Sequence, residues 1–229
     1  MPVFVPMPGE SLWYEHHHPE GDGVTFVFVN ALLGSAARWE AIVAPALRAA
    51  GHGTLAWDYR GQADSHTAEE TELTPDLMVG DLEQLVAELG PRRPVLVGLA
   101  HGGLFAARAV LAGLEAEGLV LIDALRRPVG GTEAARPGGG ARLARLLRDA
   151  DRVDWDLPWE RLALPVLVIE GLADRPSGGA SPAAALAARL PDARAVELAG
   201  VGHDVPGEAP EATIDALLGF ADDLASRRG

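Results

Sequence analysis

The chain has 229 residues, a length that fits one α/β domain, and 48% of these residues are hydrophobic. Asp and Glu number 33 against 19 basic residues, all of them Arg, and the resulting net charge of −14 would repel nucleic acid and anionic lipid. Cysteine and lysine are both absent, which excludes disulfides, thiolate chemistry and lysine Schiff bases.

Targeting and membrane signals are also missing from the sequence. No apolar run approaches the roughly 18 residues that a membrane span requires. The opening stretch MPVFVPMPGE lacks the basic and apolar segments of a signal peptide. We therefore expect a cytoplasmic protein with no membrane partner, no nucleic-acid partner and no cofactor.

Strand-like and helix-like patterns alternate along the chain. Residues 11–18 can add an antiparallel edge strand, and later apolar, β-branched runs are apolar on both faces, which is typical of buried parallel strands. These strands are predicted at 24–30, 54–58, 94–100, 119–124, 165–171 and 193–200, with helices at 36–50, 74–89, 103–117, 182–190 and 209–226. The order predicts an α/β fold with a mainly parallel sheet and helices on both faces.

One segment interrupts this alternation. Residues 126–164 contain five glycines between positions 130 and 140, followed by an Arg-rich amphipathic stretch. We expect a single domain spanning 1–229, in which 126–164 forms a short cap over the carboxyl edge of the sheet. An ordinary crossover with a long loop is the alternative.

Small residues surround the end of the strand at 94–100. Gly98 and Gly102 flank Ala100 and His101, and a helix is predicted to follow at once. A tight strand-to-helix turn needs small residues because its two flanking backbones nearly touch. Such a turn points the amide of His101 into the crevice at a helix amino terminus, where negative charge is favoured.

Five motifs, in register over most of the chain, resemble those of the α/β-hydrolase superfamily. Residues 98–102 resemble the Gly-x-Ser-x-Gly nucleophile elbow, except that Ala100 replaces the serine. Gly171–Asp174 resembles the site of the catalytic acid, and Gly200–His203 resembles the site of the base. Residues 58–65 are similar to the family's Asp-x-Arg-Gly-x-Gly-x-Ser loop, and residues 30–34 are most similar to a loop of enol-lactonases.

The resemblance implies roles for individual residues. His203 would be the base, and Asp174 would be the acid that orients it. Asp123 is the alternative acid, because some members of the superfamily carry the acid after the strand that here ends at Asp123. The backbone amides of Leu32 and His101 would form the oxyanion hole.

Substrate contacts are expected from the loop after the first central strand and from the cap. The candidate residues are Asn30, Trp39, Trp155 and Trp159. We expect no metal site. In the run His16, His17 and His18, neighbouring strand residues point to opposite faces, so only His16 and His18 lie on the same face. A solvated strand edge is the simpler interpretation of this run.

Three functions remain open because alanine cannot act as a nucleophile. The first is a hydrolase of a carboxylic ester, lactone or thioester, acting on a small apolar molecule, whose serine was lost at position 100 by engineering or variation. The second is a serine-independent enzyme, of the cofactor-free oxygenase or lyase type, that uses a His–Asp dyad as general base. The third is a non-catalytic protein that binds a small ligand in the same pocket.

Overall fold

The computed structural model describes residues 3–124, 140–153, 156–173 and 181–228. Within these ranges eight strands form one sheet in the order β1-β2-β4-β3-β5-β6-β7-β8. The pairs β1–β2 and β2–β4 are antiparallel, and all the other neighbours are parallel. The strands are β1 Val3–Phe4, β2 Leu12–His17, β3 Thr25–Val29, β4 Gly53–Trp57, β5 Pro94–Leu99, β6 Gly118–Ile122, β7 Val166–Gly171 and β8 Ala193–Leu198.

Helices cover both faces of the sheet. They are α1 Ala36–Ile42, α2 Ala44–Ala49, α3 Pro75–Leu89, α4 His101–Ala112, α5 Ala141–Arg152, α6 Pro182–Ala187, α7 Val205–Glu208 and α8 Pro210–Ser226. Alternate residues of β3 separate into two hydrophobic cores: Val27 packs in a core with residues of α3 to α6, and Phe28 packs in another with residues of α1, α2 and α8. The expected α/β class, with a mainly parallel sheet and helices on both faces, is therefore confirmed.

Two predicted helices have different limits in the structure. The helix predicted at 36–50 divides at Val43 into α1 and α2, because Pro45 in the first turn of α2 has no amide hydrogen with which to continue α1. The helix predicted at 103–117 begins at His101 and ends at Ala112, where Gly113 adopts a left-handed conformation with φ 115°.

The predicted edge strand at 11–18 is present as β2, but it is not the outermost strand. It pairs with β4 on one side, and β1 pairs with its other side through Phe4 and Leu12. A two-residue strand such as β1 is too short to produce a recognisable pattern in the sequence.

The predicted cap is only partly within the described residues, since 125–139 and 154–155 lie outside them. The described part contains α5 and a short 3-10 helix, Trp159–Arg161. Helix α5 buries Leu146 against the core shared with α3, and Arg145 forms an ion pair with Glu72. No helix in the described part of the chain is both long and apolar enough to cross a membrane.

Candidate active site

The turn between β5 and α4 has the geometry of a nucleophile elbow. Ala100 has φ 50° and ψ −123°, a conformation that residues with a Cβ rarely adopt, and its amide donates to Ile122 O at 2.8 Å. A Cβ on Gly98 would lie 2.3 Å from the Cα of Gly103, and a Cβ on Gly102 would lie 2.1 Å from Val29 O. Both glycines are therefore required by close backbone contacts.

The loop after β3 lies beside this elbow. Leu33 has φ 67°, and its amide donates to Gln62 Oε1 at 2.8 Å. The amide of Gly34 donates to Ala31 O at 2.9 Å, which closes a tight turn around Leu32. Gly102 lies against the carbonyl of Val29, which directly precedes this loop. The backbone of Leu32 and the backbone of the elbow therefore lie at the same edge of the sheet.

A buried carboxylate faces His203 at the same edge. Nδ1 of His203 lies 3.4 Å from Oδ2 of Asp123, whose side chain has no exposed surface. Asp123 has φ 47°, and its Oδ1 accepts a hydrogen bond from the amide of Gly171 at 3.1 Å. Its Oδ2 is buried and makes no hydrogen bond within the described residues, so the imidazole of His203 is the group that faces it.

Asp174, the acid that the sequence favoured, lies outside the described residues. Among the described residues, the structure brings the alternative acid, Asp123, to His203. The sequence favoured Asp174 from its spacing to Gly171, but each acid follows one of two neighbouring parallel strands, β6 and β7, whose carboxyl ends share one edge of the sheet.

A cavity of about 410 Å³ opens beside this edge, a size that suits a small molecule. It brings together the loop after β3, the start of α1, the end of β5, the His203 loop and one residue of α5. The lining residues are Asn30, Ala31, Leu32, Leu33, Gly34, Ser35, Arg38, Trp39, Leu99, Leu147, His203 and Asp204. The side chain of His203 is 51% exposed, so its ring is accessible from this cavity.

The predicted substrate contacts have different positions. Asn30 and Trp39 line the cavity, but their polar groups bind each other: Trp39 Nε1 donates to Asn30 Oδ1 at 2.8 Å, and Asn30 Nδ2 donates to Trp57 O at 2.7 Å. Trp159 does not line the cavity, because its side chain is buried in the core with 1% exposed. Trp155 lies outside the described residues.

Four cavity residues were not anticipated from the sequence: Ser35, Arg38, Leu147 and Asp204. Arg38 and Asp204 form an ion pair at the wall, and Leu147 reaches the cavity from α5. Arg38 and Asp204 each adjoin a residue that was predicted from the sequence, Trp39 and His203. Leu147 belongs to the amphipathic segment predicted as a cap.

The side chain of His101 contacts α5. Its Nε2 lies 3.2 Å from Oδ1 of Asp151. Burial lowers the pKa of His101 from 6.5; Asp151 opposes this shift, and the nearby His203 adds to it. The residue that supplies a candidate oxyanion amide therefore also joins the elbow to α5.

The loop at 58–65 forms hydrogen bonds and ion pairs with elements that surround the site. Asp58 accepts hydrogen bonds from the amides of Ala36 at 2.7 Å and Asp64 at 3.3 Å, while burial raises its pKa. Arg60 is buried between the carboxylates of Asp81 and Glu10, where it forms an ion pair with each. This loop thus connects the start of α1, helix α3 and the amino-terminal segment.

A mainly parallel sheet with an elbow after its fifth strand, and a histidine facing a carboxylate at its carboxyl edge, defines an α/β-hydrolase-like protein. The sequence model of the alpha/beta hydrolase fold matches residues 24–154. This match covers more than half of the chain, and the chain belongs to that family.

One named relative matches about half of the chain. The protein named "Putative carbamate hydrolase RutD" from Variovorax paradoxus (strain S110) is 35% identical over 118 residues, which are 51% of this chain and 44% of that protein. The match therefore spans less than half of the length of this relative.

Solved structures show the same fold. MGS-M2, an alpha/beta hydrolase enzyme from a Medee basin deep-sea metagenome library, has a TM-score of 0.76 at 18% identity over 96% of each chain. A thermophilic esterase from Thermogutta terrifontis has a TM-score of 0.72 at 22% identity over 95% of each chain. At such identities the likeness concerns the fold alone.

Proposed function

We propose that this chain hydrolyses a small carbamate or carboxylic ester by general-base catalysis, without a covalent intermediate at position 100. The observation that carries the proposal is the 3.4 Å contact between His203 Nδ1 and the fully buried carboxylate of Asp123. A carboxylate in this position orients the imidazole and stabilises its protonated form. The other ring nitrogen, Nε2, is then available to take a proton.

Water is the proposed nucleophile because position 100 itself supplies no nucleophilic group. Ala100 has only a methyl group, and the sequence contains no cysteine. Nε2 of His203 takes a proton from the water as its oxygen bonds to the substrate carbonyl carbon. The carbonyl electrons move to the oxygen, which accepts hydrogen bonds from the amides of Leu32 and His101. Collapse of this intermediate expels the alcohol or amine, which takes the proton from His203.

The substrate class rests on the cavity and on the relative. A carbamate hydrolase is named among the similar proteins, and a volume of about 410 Å³ admits a molecule of modest size. Leu32, Leu99 and Leu147 give the cavity an apolar wall, while Arg38 and Asp204 place charge on one side of it. An apolar acyl or alcohol group with one polar carbonyl fits this lining.

The conformation of Ala100 favours a second candidate, a serine hydrolase that has lost its nucleophile. The elbow retains φ 50° and the close glycine contacts that present a serine in this family. In that case the missing hydroxyl would be the only defect, and restoring it would create an acyl-enzyme route.

Two substitutions separate these candidates. His203→Ala should lower kcat of the unmodified chain on small carbamates and aryl esters by about 10²- to 10⁴-fold, because a positioned general base contributes this much. Ala100→Ser should change kcat little. An unmodified chain with no activity, together with a Ser variant that hydrolyses esters through a burst of acyl-enzyme, would establish the second candidate instead.

The same assay tests which carboxylate, Asp123 or Asp174, acts as the acid. Asp123→Asn should reduce kcat as severely as His203→Ala, because both changes disable one dyad, whereas Asp174→Asn should retain most of the activity. The reverse ranking would restore Asp174 as the acid. Circular dichroism and thermal unfolding of each variant serve to distinguish lost chemistry from lost structure.

A further inference from the structure

Three potential metal ligands converge on the face of the sheet that α1 covers. Glu15 and His17 are two residues apart on β2 and so point to the same side, and Glu40 reaches them from α1. Their ligand atoms all lie within 4.8 Å of one another. His17 Nε2 and Glu15 Oε1 are already 2.8 Å apart.

Glu40 provides a second and independent observation. Its Oε1 is buried and has no hydrogen-bond partner within the described residues. Its Oε2 accepts a hydrogen bond at 2.7 Å from Arg48 Nη1, which also donates to Thr54 Oγ1 at 3.1 Å. A buried carboxylate oxygen without a partner is unfavourable, because it has lost water and gained nothing in return. A cation bound at Oε1 would remove that penalty.

We infer that Glu15, His17 and Glu40 bind one Zn²⁺ ion. One imidazole and two carboxylates are a donor set that zinc accepts, with bonds of about 2.0 to 2.2 Å and a water in the fourth position. Calcium takes six or more oxygen ligands, and magnesium takes an octahedron dominated by oxygen, so an imidazole makes both less suitable. None of these three ligands lines the cavity of the proposed active site.

The surroundings of the cluster fit this ion. Two carboxylates outweigh the one guanidinium of Arg48, so the site attracts a cation. Arg48 holds one oxygen of Glu40 and leaves the other free, which is how a neighbouring group orients a metal ligand. The ion would join β2 to α1, the helix that carries Arg38 and Trp39 to the wall of the cavity.

The sequence predicted no metal site in this run and indicated only that His16 and His18 share a face of the strand. His16 and His18 do lie together, with ring centroids 4.4 Å apart, but the groups that complete a ligand set lie around His17. Glu40 is 23 positions further along the chain than His17. Only the packing of α1 on the sheet reveals its proximity.

Calorimetric titration of untagged, chelator-treated protein with zinc chloride tests the inference. One ion should bind per chain, and His17→Ala and Glu40→Gln should each weaken binding by about tenfold or more, the scale of losses at metal sites. The matched control is His18→Ala, which should bind zinc as the parent does. At the same zinc concentration, the melting temperature of the parent and of the control should rise more than that of His17→Ala.

Three outcomes would overturn the site. The first is the absence of saturable one-to-one zinc binding. The second is the loss of binding in His18→Ala but not in His17→Ala, which would assign the ion to the His16 and His18 pair. The third is displacement of zinc by an equal concentration of magnesium, which would show a site that selects oxygen donors. Thermal unfolding without zinc verifies that each variant is folded.

Discussion

Three of the five described residues that combine a Cβ with a positive φ lie beside the proposed catalytic groups. Leu33, Ala100 and Asp123 have φ values of 67°, 50° and 47° and follow β3, β5 and β6. Such conformations cost on the order of 1 to 3 kcal/mol each, and they persist where the surrounding structure holds them. All three adjoin or supply a group of the proposed mechanism, while the other two, Ala63 and Arg93, lie in the loop at 58–65 and directly before β5.

The closest backbone contact of the elbow gives a stability prediction. Gly102→Ala would place a Cβ 2.1 Å from Val29 O, so we expect a loss of about 2 to 4 kcal/mol in unfolding free energy from forced backbone movement. Gly80→Ala is the control, since a Cβ there meets nothing within 4 Å in the middle of α3. That change should stabilise the protein by about 0.5 to 1 kcal/mol. Urea unfolding measures both, and equal effects would contradict the elbow geometry.

Individual residues also show how much of the candidate site can be predicted from the sequence. The glycine spacing located the elbow, because backbone contact restricts residue type locally. It did not identify Arg38 and Asp204 as an ion pair, because their contact joins positions far apart in the chain. The choice between Asp123 and Asp174 depended on side-chain direction at two neighbouring strand ends, which spacing alone does not determine.

At the scale of elements, the contact between the elbow and α5 predicts a pH effect. Burial lowers the folded-state pKa of His101 below 6.5, so its neutral form is favoured and its contribution to stability is lost as pH falls through the folded pKa. Asp151→Asn removes the group that opposes this shift. The NMR titration midpoint of the His101 ring should therefore move to lower pH.

Asp149→Asn is the control for this titration. Asp149 lies on the same helix but pairs with Arg145 at 3.4 Å, so its loss should leave the His101 midpoint in place. A midpoint that rises in Asp151→Asn would show that Asp151 does not stabilise the protonated ring.

Element boundaries were less predictable than element types. The buried strands β3 to β7 were evident because apolar β-branched runs leave few alternatives. The break at Val43 depended on one proline inside an otherwise helical pattern, and the end of α4 depended on Gly113. Leu114 to Glu117 are ordinary helix formers, so the pattern alone extended the helix too far.

At the scale of the whole molecule, one buried ion network connects distant parts of the chain. Arg60→Met would leave Glu10 and Asp81 buried without their cation, and we expect a loss of about 3 to 5 kcal/mol at neutral pH. Burial already raises the pKa of Asp81, and the loss of Arg60 would raise it further. Protonation would then neutralise the carboxyls, so the loss should shrink as pH falls.

Chemical denaturation at pH 7 and pH 5 measures this effect. Arg194→Met is the control, because Arg194 pairs with Asp223 at the surface, where the two side chains are 44% and 49% exposed. An exposed pair contributes about 1 kcal/mol or less. Similar losses in both variants would show that the buried network has no special role in stability.

Helix α5, which carries Leu147 to the cavity, is attached to the rest of the molecule both by the buried side chain of Leu146 and by exposed charges. Arg145 and its partner Glu72 are 61% and 58% exposed, and Asp151, the partner of His101, is 38% exposed. Salt screens charges over a Debye length of about 8 Å at physiological ionic strength, and it therefore weakens exposed ion pairs such as these. Added salt should loosen the charged part of this attachment, whereas the buried contact of Leu146 and the close backbone contacts of the elbow do not depend on salt.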